Sequence, residues 1–479
     1  MRRPITFQRV FGIACVVGLL AATVNATAQE PTAEQAKKKQ RAAKQAKAKR
    51  EKGEKGKLVL TFPPVLPQDL RVATEKSDDF LIRASSITAD VTVAHTAPTI
   101  DFLFYPGQTY EGNPWSNWGQ GTFAAGKYYS AIGDHLAPQG NAFVYEYDPQ
   151  GKTFRKLTDV RELLQLPEGH YAPGKIHSRV DMGRDGWLYF STHRGSTRVT
   201  TDEYHYEGDW ILRADPRTAR SEIVVHAPVP KHCLPNGLLD PERLIFYGGT
   251  APGEKGEDDG KGIQFFAYDV QGRKLLYSGP DGPSRAMILA ATSGRVYFTP
   301  GQDDSPLMRY DAAQGGEPAR IPGAIGLRAA TGETASQTVY TVSYGRGGGN
   351  SILYALNTKT EQVEELGPAA VGGNQYIASL VVDPSGRYLY YVPGAHGGSD
   401  RDGSAIVQFD TRTKVKKVIA FLHPFYEKRF GFIPKGTYCL AIDDQGESLF
   451  VTWNISRGSR AWDCCGLTVV HIPPSERVQ

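Results

Sequence analysis

Histidines and aromatic residues stand close together near the middle of the chain. In the segment KIHSRVDMGRDGWLYFSTHRG, residues 175–195, His177 precedes a turn and His193 follows an aromatic run. Imidazole has an unperturbed pKa near neutrality, so histidine is the usual general base or acid at physiological pH. Arginines lie close to both histidines, and a guanidinium group binds a carboxylate or sulfate through paired hydrogen bonds. The segment therefore predicts proton transfer on an anionic molecule.

Residues of the same types recur at comparable turns along the chain. We predict that five of them act in catalysis, namely His135, His177, His193, Tyr376 and Tyr438. We predict that seven others bind the substrate, namely Arg179, Arg285, Arg328, Trp118, Asn236, Trp453 and Asn454. Guanidinium groups suit carboxylates, and flat aromatic side chains suit the apolar faces of sugar rings. An anionic polysaccharide or oligosaccharide is therefore the expected partner.

A polysaccharide lyase is the activity that these residues favour. β-Elimination on a uronic acid needs a base that removes the proton next to the carboxylate and an acid that protonates the leaving oxygen. Either His177 or His193 is the expected base. Either Tyr376 or Tyr438 is the expected acid. The arginines would neutralise the substrate carboxylate and so acidify the adjacent proton.

Two other functions remain open. A glycoside hydrolase at the same place would normally use two carboxylic acids, and Asp134 and Asp303 are the main candidates in a site otherwise poor in acidic residues. A non-catalytic, envelope-tethered binding protein is the second alternative, because one fold supports many functions. In that case the histidines would point away from a shared site.

A divalent metal ion is a further expectation. The histidines that could supply three imidazole ligands are His135, His177, His193 and His396. Imidazole suits several divalent transition metals. Such an ion would be compatible with a lyase, since it could act as the Lewis acid on the substrate carboxylate.

The elements that must position these residues repeat from about residue 118 onward. Each unit contains an aromatic strand such as GWLYFSTH, then a second strand such as WILRADPRTA, with turn residues between them. Each pair predicts a hairpin. The units are anchored by Tyr129, Tyr189, Phe246, Tyr297, Tyr340, Tyr390 and Phe450, about 43 to 60 residues apart. Four-stranded units of roughly this length are typical of β-propeller blades.

Seven units predict an all-β fold, a seven-bladed β-propeller of four-stranded antiparallel blades. The seventh unit ends after three strands, and an unpaired edge is a liability. One N-terminal piece, DFLIRASSI, DVTVAHT or IDFLFYP, is expected to close the last blade, which makes residues 58–479 one domain. In a propeller, the turns that enter the first strands and leave the second strands share one face. That face is the predicted site.

The predicted architecture and residue types resemble those of propeller-fold polysaccharide lyases. The resemblance rests on the repeated strand pairs and on the histidines, arginines and tyrosines at the shared face. It implies a uronate-containing glycan as substrate. It covers architecture only, because no specific family motif is matched and no residue role is transferred from a family.

The N-terminal 57 residues differ in composition from the rest of the chain. Three arginines precede the apolar run from Phe11 to Val24, and NATAQE offers a cleavage site after Ala28, so residues 1–28 predict a signal peptide. Residues 29–57 predict a disordered basic linker, which is suited to contact an anionic membrane or cell-wall polymer. We therefore expect export to the periplasm, the cell surface or the medium.

The charge distribution argues against nucleic acid as a partner. The chain carries a net charge of +4, but residues 31–57 alone hold 11 basic and three acidic side chains. The remaining body is therefore net negative, whereas a nucleic-acid-binding domain usually presents a basic surface.

Four cysteines follow the predicted signal peptide. In an exported protein they are candidates for disulfides, and the expected pair is Cys439 with Cys464 or Cys465. No C-x-x-C pair indicates a zinc site.

Overall fold

Strands alternate with tight turns along the chain and form seven sheets, which are the blades of a β-propeller. The computed structural model describes residues 60–112, 114–134, 140–254, 262–301, 305–345, 350–458 and 462–477. The predicted signal peptide and linker, and the candidates His135 and Asp303, lie outside these residues. The predicted seven-bladed, all-β fold is confirmed.

Each blade has four main strands, numbered here from the channel outwards. The first strands, split in two in blades 1 and 2, are Trp115–Ser116 with Thr122–Ala124, Lys175–Ile176 with Asp181–Met182, His232–Asp240, Ile288–Ala290, Ala329–Ala330, Leu380–Val382 and Ile433–Ile442. The second strands are Lys127–Asp134, Leu188–His193, Ile245–Pro252, Arg295–Phe298, Thr338–Val342, Tyr388–Tyr391 and Ser448–Ser456. The third strands are Ala142–Asp148, Trp210–Asp215, Gln264–Asp269, Leu307–Asp311, Ile352–Asn357, Ala405–Asp410 and Cys464–His471. The fourth strands are Thr153–Asp159, Arg220–His226, Lys274–Pro280, Ala319–Ile321, Gln362–Pro368, Lys416–Phe421 and Thr99–Phe104.

The aromatic runs of the repeat form the second strands, which lie inside the packed blades. In blade 2 the strand Leu188–His193 is buried at every position. Successive side chains of a strand point to opposite faces, and here each face has its own core. Leu188 and Phe190 pack in one hydrophobic cluster, whereas Tyr189 packs in the next. Aromatic residues can therefore follow one another without a polar face.

Blade 7 is closed by a strand from the N-terminal part of the described chain. Thr99–Phe104, within the piece IDFLFYP, pairs antiparallel with Cys464–His471. A further strand, Ala73–Lys76, pairs with the outer side of Thr99–Phe104. The predicted closure is confirmed, and it covers the edge that the seventh unit would otherwise leave open.

The other two N-terminal pieces have different positions. DVTVAHT supplies Thr92–Val93, which runs parallel to the outer strand of blade 6. DFLIRASSI supplies most of the 3₁₀ turn Asp78–Leu81, whose Phe80 is fully buried. Both pieces therefore pack against the propeller without completing a blade.

Asp101 ties the closing strand to its neighbours. Its carboxylate, almost fully buried, accepts hydrogen bonds from Lys152 Nζ at 2.6 Å and His471 Nε2 at 2.9 Å. Burial acts to raise the pKa of Asp101, but the bonds from His471, Lys152 and Thr74 outweigh it and lower that pKa to about 2. The ionised carboxylate therefore stabilises the closure.

Helical structure is limited to short segments in the part of the chain that the structure describes. The α-helices are Val160–Leu164 and Phe425–Phe430, and the 3₁₀ turns are Pro67–Asp69, Asp78–Leu81, Asp202–Tyr204, Ser399–Asp402 and Pro474–Glu476. None of the helices described is long and apolar enough to cross a membrane.

The predicted disulfide is not formed. The four cysteines are buried thiols that are not joined by disulfide bonds, namely Cys233, Cys439, Cys464 and Cys465. The Sγ atom of Cys439 accepts a hydrogen bond from the Gly121 amide at 2.9 Å and lies 2.9 Å from the Tyr128 hydroxyl. Burial raises the pKa of Cys439 to about 11. Its sulfur is thus held by polar partners on blade 1 and not by a second sulfur.

Candidate active site

A pocket lies at one mouth of the channel. The side chains around it come from the chain segments that enter the first strands and leave the second strands. The pocket contains about 590 Å³ of empty space. Its lining, named here the mouth cluster, consists of Trp118, His177, Arg285, Arg328, Tyr376, His396 and Tyr438. The channel continues below it past Gln120, Arg179 and Asn236. Blades 1, 2, 4, 5, 6 and 7 each contribute at least one side chain, so the site exists only in the assembled propeller.

Arg328 organises one side of the mouth cluster. Its guanidinium group is mostly buried, and its Nε donates a hydrogen bond to the Tyr376 hydroxyl at 2.6 Å. The same guanidinium lies 4.8 Å from the ring centre of Tyr376 and 5.6 Å from that of Tyr438. Stacking on aromatic faces and hydrogen bonding together fix the position of the positive charge.

His396 and Tyr438 form a hydrogen-bonded pair beside this arginine. The distance from His396 Nδ1 to the Tyr438 hydroxyl is 2.6 Å. His396 is exposed, whereas Tyr438 is buried except for the part that faces the pocket. Either atom can be the donor, so the pair can pass a proton between an imidazole and a phenol.

His177 is oriented for proton transfer by its backbone partner. Its Nδ1 is hydrogen-bonded to the carbonyl oxygen of Pro235. A carbonyl oxygen only accepts, so Nδ1 carries the hydrogen, and in the neutral ring Nε2 is then the basic nitrogen. The ring also stacks on Trp118, with centres 5.8 Å apart. The backbone contact therefore sets the tautomer of His177 and leaves Nε2 as the nitrogen that can accept a proton.

The pocket is electrostatically positive. Arg285 and Arg328 both line it, and neither Asp nor Glu is among the described residues of its lining. Tyr344 is buried close behind the pocket, and both positive charges act on it. Burial raises the pKa of Tyr344, and the positive charges of Arg285 and Arg328 act in the opposite direction. An anionic group is therefore the ligand that the pocket favours.

Two predicted residues line the deeper channel instead of the mouth. Arg179 donates from Nε to Asp181 at 3.1 Å, so its charge is paired within the channel. Asn236 donates to the Pro283 carbonyl at 3.1 Å and accepts from the Gly249 amide at 2.7 Å. Its amide therefore mainly joins backbone segments of blades 3 and 4.

Trp453 and Asn454 were predicted to bind substrate, and their positions require a correction. Trp453 is fully buried in a core cluster, and its Nε1 donates to Thr468 at 2.9 Å. Asn454 is also fully buried and exchanges two hydrogen bonds with the backbone of Asn117. Both residues lie within the second strand of blade 7, inside the packed blades, and so cannot face the pocket.

His193 also differs from its predicted position. It was expected to face His177 across the mouth, but it is fully buried behind His177, with ring centres 5.2 Å apart. His193 is the last residue of its strand, and both sides of that strand end are covered. It does not line the mouth pocket.

The histidines proposed as metal ligands are not gathered in one place. Within the described part of the chain, His177, His193 and His396 do not form a group with adjacent ligand atoms. His193 instead belongs to a group with Asp209 and Cys233, named here the buried cluster. Burial raises the pKa of Asp209 to about 6, although hydroxyl groups of Thr192 and Tyr171 act to lower it.

Two residues that shape the mouth were not predicted from the sequence. Trp462 follows the second strand of blade 7 and packs against Trp118 and His396, at 5.4 and 5.2 Å between ring centres. Lys175 places its ammonium group 4.6 Å from the ring centre of Trp118. Lys175 begins the first strand of blade 2 and Trp462 leaves the second strand of blade 7, so the positional rule that selected His177 could have selected them too.

No family model matches the sequence, and no curated protein shows significant similarity to it. Solved structures do share the fold. An oligogalacturonate lyase in complex with manganese is 11% identical, with a TM-score of 0.51 over 85% of this chain and 98% of that one. An oligogalacturonate lyase from Vibrio parahaemolyticus is 10% identical, with the same TM-score and coverage. The acylaminoacyl peptidase of Pyrococcus horikoshii is 9% identical, with a TM-score of 0.44 over 76% of this chain and 54% of that one. At these identities the likeness concerns the β-propeller architecture alone.

Proposed function

We propose that the protein is a polysaccharide lyase that cleaves a uronate-containing glycan by β-elimination in the mouth pocket. The observation that carries this proposal is the grouping of two guanidinium groups with an oriented imidazole and a hydrogen-bonded His–Tyr pair in one pocket. Two oligogalacturonate lyases share the propeller architecture. An acidic sugar is therefore a consistent substrate class for this pocket.

The arginines have the first role, which is to hold the substrate carboxylate. Arg285 and Arg328 come from neighbouring blades and face the same space. Bidentate contact with a guanidinium group neutralises the carboxylate and makes the proton on the adjacent carbon more acidic. Trp118 offers an aromatic face to the sugar ring.

The elimination itself needs one proton removed and one supplied. His177 Nε2 takes the proton from C5 of the uronate, and those electrons form the C4–C5 double bond. The bond from C4 to the glycosidic oxygen breaks, and Tyr438 donates its hydroxyl proton to that oxygen. His396, at 2.6 Å, then relays a proton from solvent to Tyr438, and His177 releases the proton that it took to solvent. No water is consumed, and the product is an unsaturated uronate plus a new hydroxyl end.

Tyr376 has a positioning role in this scheme. Its hydroxyl accepts from Arg328 Nε at 2.6 Å and its ring stacks on the guanidinium plane. These contacts occupy one edge of Arg328 and direct the remaining guanidinium nitrogens towards the pocket. Loss of the hydroxyl would loosen the carboxylate clamp without removing a proton carrier.

The pocket does not suit the manganese ion that one of the similar structures contains. Manganese prefers carboxylate, carbonyl and water oxygens, and the described lining has no carboxylate and two guanidinium groups. We therefore assign neutralisation of the substrate carboxylate to the arginines. The same lack of carboxylates counts against a two-carboxylate hydrolase, and Asp134 is buried away from the pocket.

Export and contact of the basic linker with an anionic envelope polymer remain part of this proposal. The linker would hold the enzyme near polymers of the class that the pocket is proposed to cleave.

The test is to offer the purified protein a panel of uronate-containing polysaccharides and oligosaccharides. We expect ultraviolet absorbance from an unsaturated uronate product, and its loss in Arg285→Ala. Arg217→Ala is the matched control, because Arg217 is an exposed arginine paired with Asp215 outside the pocket. New reducing ends without unsaturation would support a hydrolase. Binding without either product would support a binding protein.

A further inference from the structure

The buried cluster behind the mouth pocket has the composition of a metal centre. His193, Asp209 and Cys233 are each completely buried. One ligand atom of each lies within 4.8 Å of the others, and no other such group of His, Cys, Asp or Glu occurs in the described residues. We propose that these three side chains bind one Zn²⁺ ion.

The three ligands come from rigid elements of two neighbouring blades. His193 ends the second strand of blade 2, Asp209 immediately precedes the third strand of that blade, and Cys233 lies in the first strand of blade 3. The Asp209 amide donates to the His232 carbonyl at 3.2 Å, and the Asp209 carbonyl accepts from the Ala227 amide at 2.8 Å. The backbone therefore holds the ligands close to one another before any ion binds.

Hydrogen bonds orient the carboxylate of Asp209. Its Oδ1 accepts from the hydroxyl groups of Tyr171 and Thr192, each at 2.8 Å. Its Oδ2 lies 3.5 Å from the Tyr206 hydroxyl, and the positive charge of the buried Arg194 also acts on this carboxylate. Outer partners of this kind fix the orientation of metal-binding carboxylates. Oδ2 is thus the oxygen that coordinates zinc.

Cys233 and His193 supply the softer ligands. The thiol of Cys233 donates to the Ala251 carbonyl at 3.2 Å. When zinc binds, the thiol loses its proton to solvent and the resulting thiolate bonds to the ion. The imidazole of His193 coordinates through one neutral ring nitrogen. The charges of the ion, the thiolate and the carboxylate then sum to zero, and the guanidinium group of Arg194, which acts on the Asp209 carboxylate, adds one positive charge beside the site.

The ligand types select zinc from the common divalent ions. Thiolate with imidazole favours Zn²⁺, whereas Mg²⁺, Ca²⁺ and Mn²⁺ favour oxygen ligands. A tetrahedral zinc ion with bonds of about 2.0–2.3 Å keeps its ligand atoms roughly 3.5 Å apart. The donor atoms already lie within 4.8 Å, so side-chain movements of about 1 Å would bring all three to bonding distance and leave the fourth tetrahedral position for a water molecule that enters with the ion.

Zinc at this position would join blades 2 and 3 directly behind His177, whose ring lies 5.2 Å from that of His193. This inference does not depend on the proposed lyase activity, since it concerns residues outside the mouth cluster and predicts metal binding whatever the pocket binds.

The test uses the full-length protein, stripped of metal by a chelator and then titrated with Zn²⁺ or Co²⁺. We expect about one tightly bound zinc ion per chain by elemental analysis, and a rise of several degrees in Tm on zinc addition. Cobalt should give the intense ultraviolet absorption of a thiolate–metal bond. Cys233→Ser should abolish that absorption, whereas Cys439→Ser should keep it, because Cys439 is a buried thiol outside the cluster.

If Cys233→Ser fails to fold, the zinc content and thiolate absorption of the wild-type protein alone decide whether the buried cluster binds zinc. A folded wild type that binds less than one tenth of an ion per chain and shows no thiolate absorption would overturn the proposal. A thiolate band that persists in folded Cys233→Ser would also overturn it, because the sulfur ligand would then be another cysteine. Lyase activity enters none of these readouts, so the two proposals succeed or fail separately.

Discussion

The mouth cluster and the buried cluster use similar side chains in opposite surroundings. Both clusters contain histidine, and tyrosine hydroxyl groups lie close to both. The rings of His177 in the mouth cluster and His193 in the buried cluster are 5.2 Å apart. The mouth cluster opens to solvent and carries two guanidinium groups. The buried cluster excludes solvent and contains a carboxylate and a thiol. Burial and the charge of the neighbouring side chains therefore distinguish the proposed anion site from the proposed cation site.

The different surroundings follow from position along the strand. His177 comes after a two-residue strand, where the chain leaves the sheet at the channel mouth. His193 is the last residue of a second strand that neighbouring blades cover on both faces. A strand end inside the packed blades holds its side chain in the core, whereas a turn at the mouth exposes it.

The largest expected effect distinguishes the two histidines. His177→Gln should lower kcat for β-elimination by roughly 10²–10⁴-fold, since it removes the general base. Its zinc content should equal that of the wild type. Steady-state kinetics and elemental analysis measure the two quantities, and His226→Gln, at an exposed histidine of blade 2, is the control. Equal losses of activity and zinc in His177→Gln would show that the two clusters are one site.

Removal of the proposed acid should have the next largest effect. Tyr438→Phe should lower kcat roughly 10²-fold. The substitution should also remove the decline of activity at high pH, because only the protonated phenol of Tyr438 can donate a proton to the leaving oxygen. The pH–rate profile of Tyr438→Phe is the measurement. The comparison variant Tyr376→Phe should raise KM more than it lowers kcat. A Tyr438→Phe profile of unchanged shape would assign the acid role elsewhere.

The sequence predicted the architecture better than the site. Aromatic anchors such as Tyr189 and Phe450 repeat because each second strand must be buried on both faces, so the blade count could be predicted from spacing. The mouth cluster was located through His177, Arg328 and Tyr438. Trp453 was misplaced because a turn and the last buried positions of a strand look alike in sequence.

Contacts between neighbouring blades could not be predicted from the sequence. The buried cluster joins residues 193, 209 and 233, whose proximity depends on how blades 2 and 3 pack. The free thiol of Cys439 likewise depends on Tyr128 and Gly121, which lie about 310 residues earlier in the chain. No local spacing encodes such pairings.

A second buried carboxylate tests whether partner type explains the contrast. Lys152 and His471 donate hydrogen bonds directly to Asp101, whereas the direct donors to Asp209 are hydroxyl groups. Because the folded-state pKa of Asp101 is lowered to about 2, its ionised form stabilises the protein above pH 4. That contribution is lost as the pH falls from about 4 to 2. Asp101→Asn should therefore reduce the free energy of unfolding by about 2 kcal/mol at pH 7.

Urea unfolding at several pH values measures this effect. The difference between Asp101→Asn and the wild type should shrink as the pH falls from about 4 to 2 and should approach zero only below about pH 2, because the folded carboxyl becomes largely protonated only there. A difference that stays constant with pH would show that the amide disturbs packing and that the ionic partners of Asp101 contribute little.

The smallest expected effect concerns the hydroxyl that orients Asp209. Tyr171→Phe removes the 2.8 Å bond to Oδ1, and loss of such an outer partner typically weakens metal binding by about 10-fold or more. Tyr391→Phe is the matched control, since Tyr391 is an equally buried tyrosine whose hydroxyl donates to the Ala369 carbonyl in another part of the propeller. Both variants should lose similar stability, but only Tyr171→Phe should bind zinc more weakly in competition with a chromophoric chelator. Equal zinc affinities would mean that Asp209 does not ligate the ion through a carboxylate that Tyr171 orients.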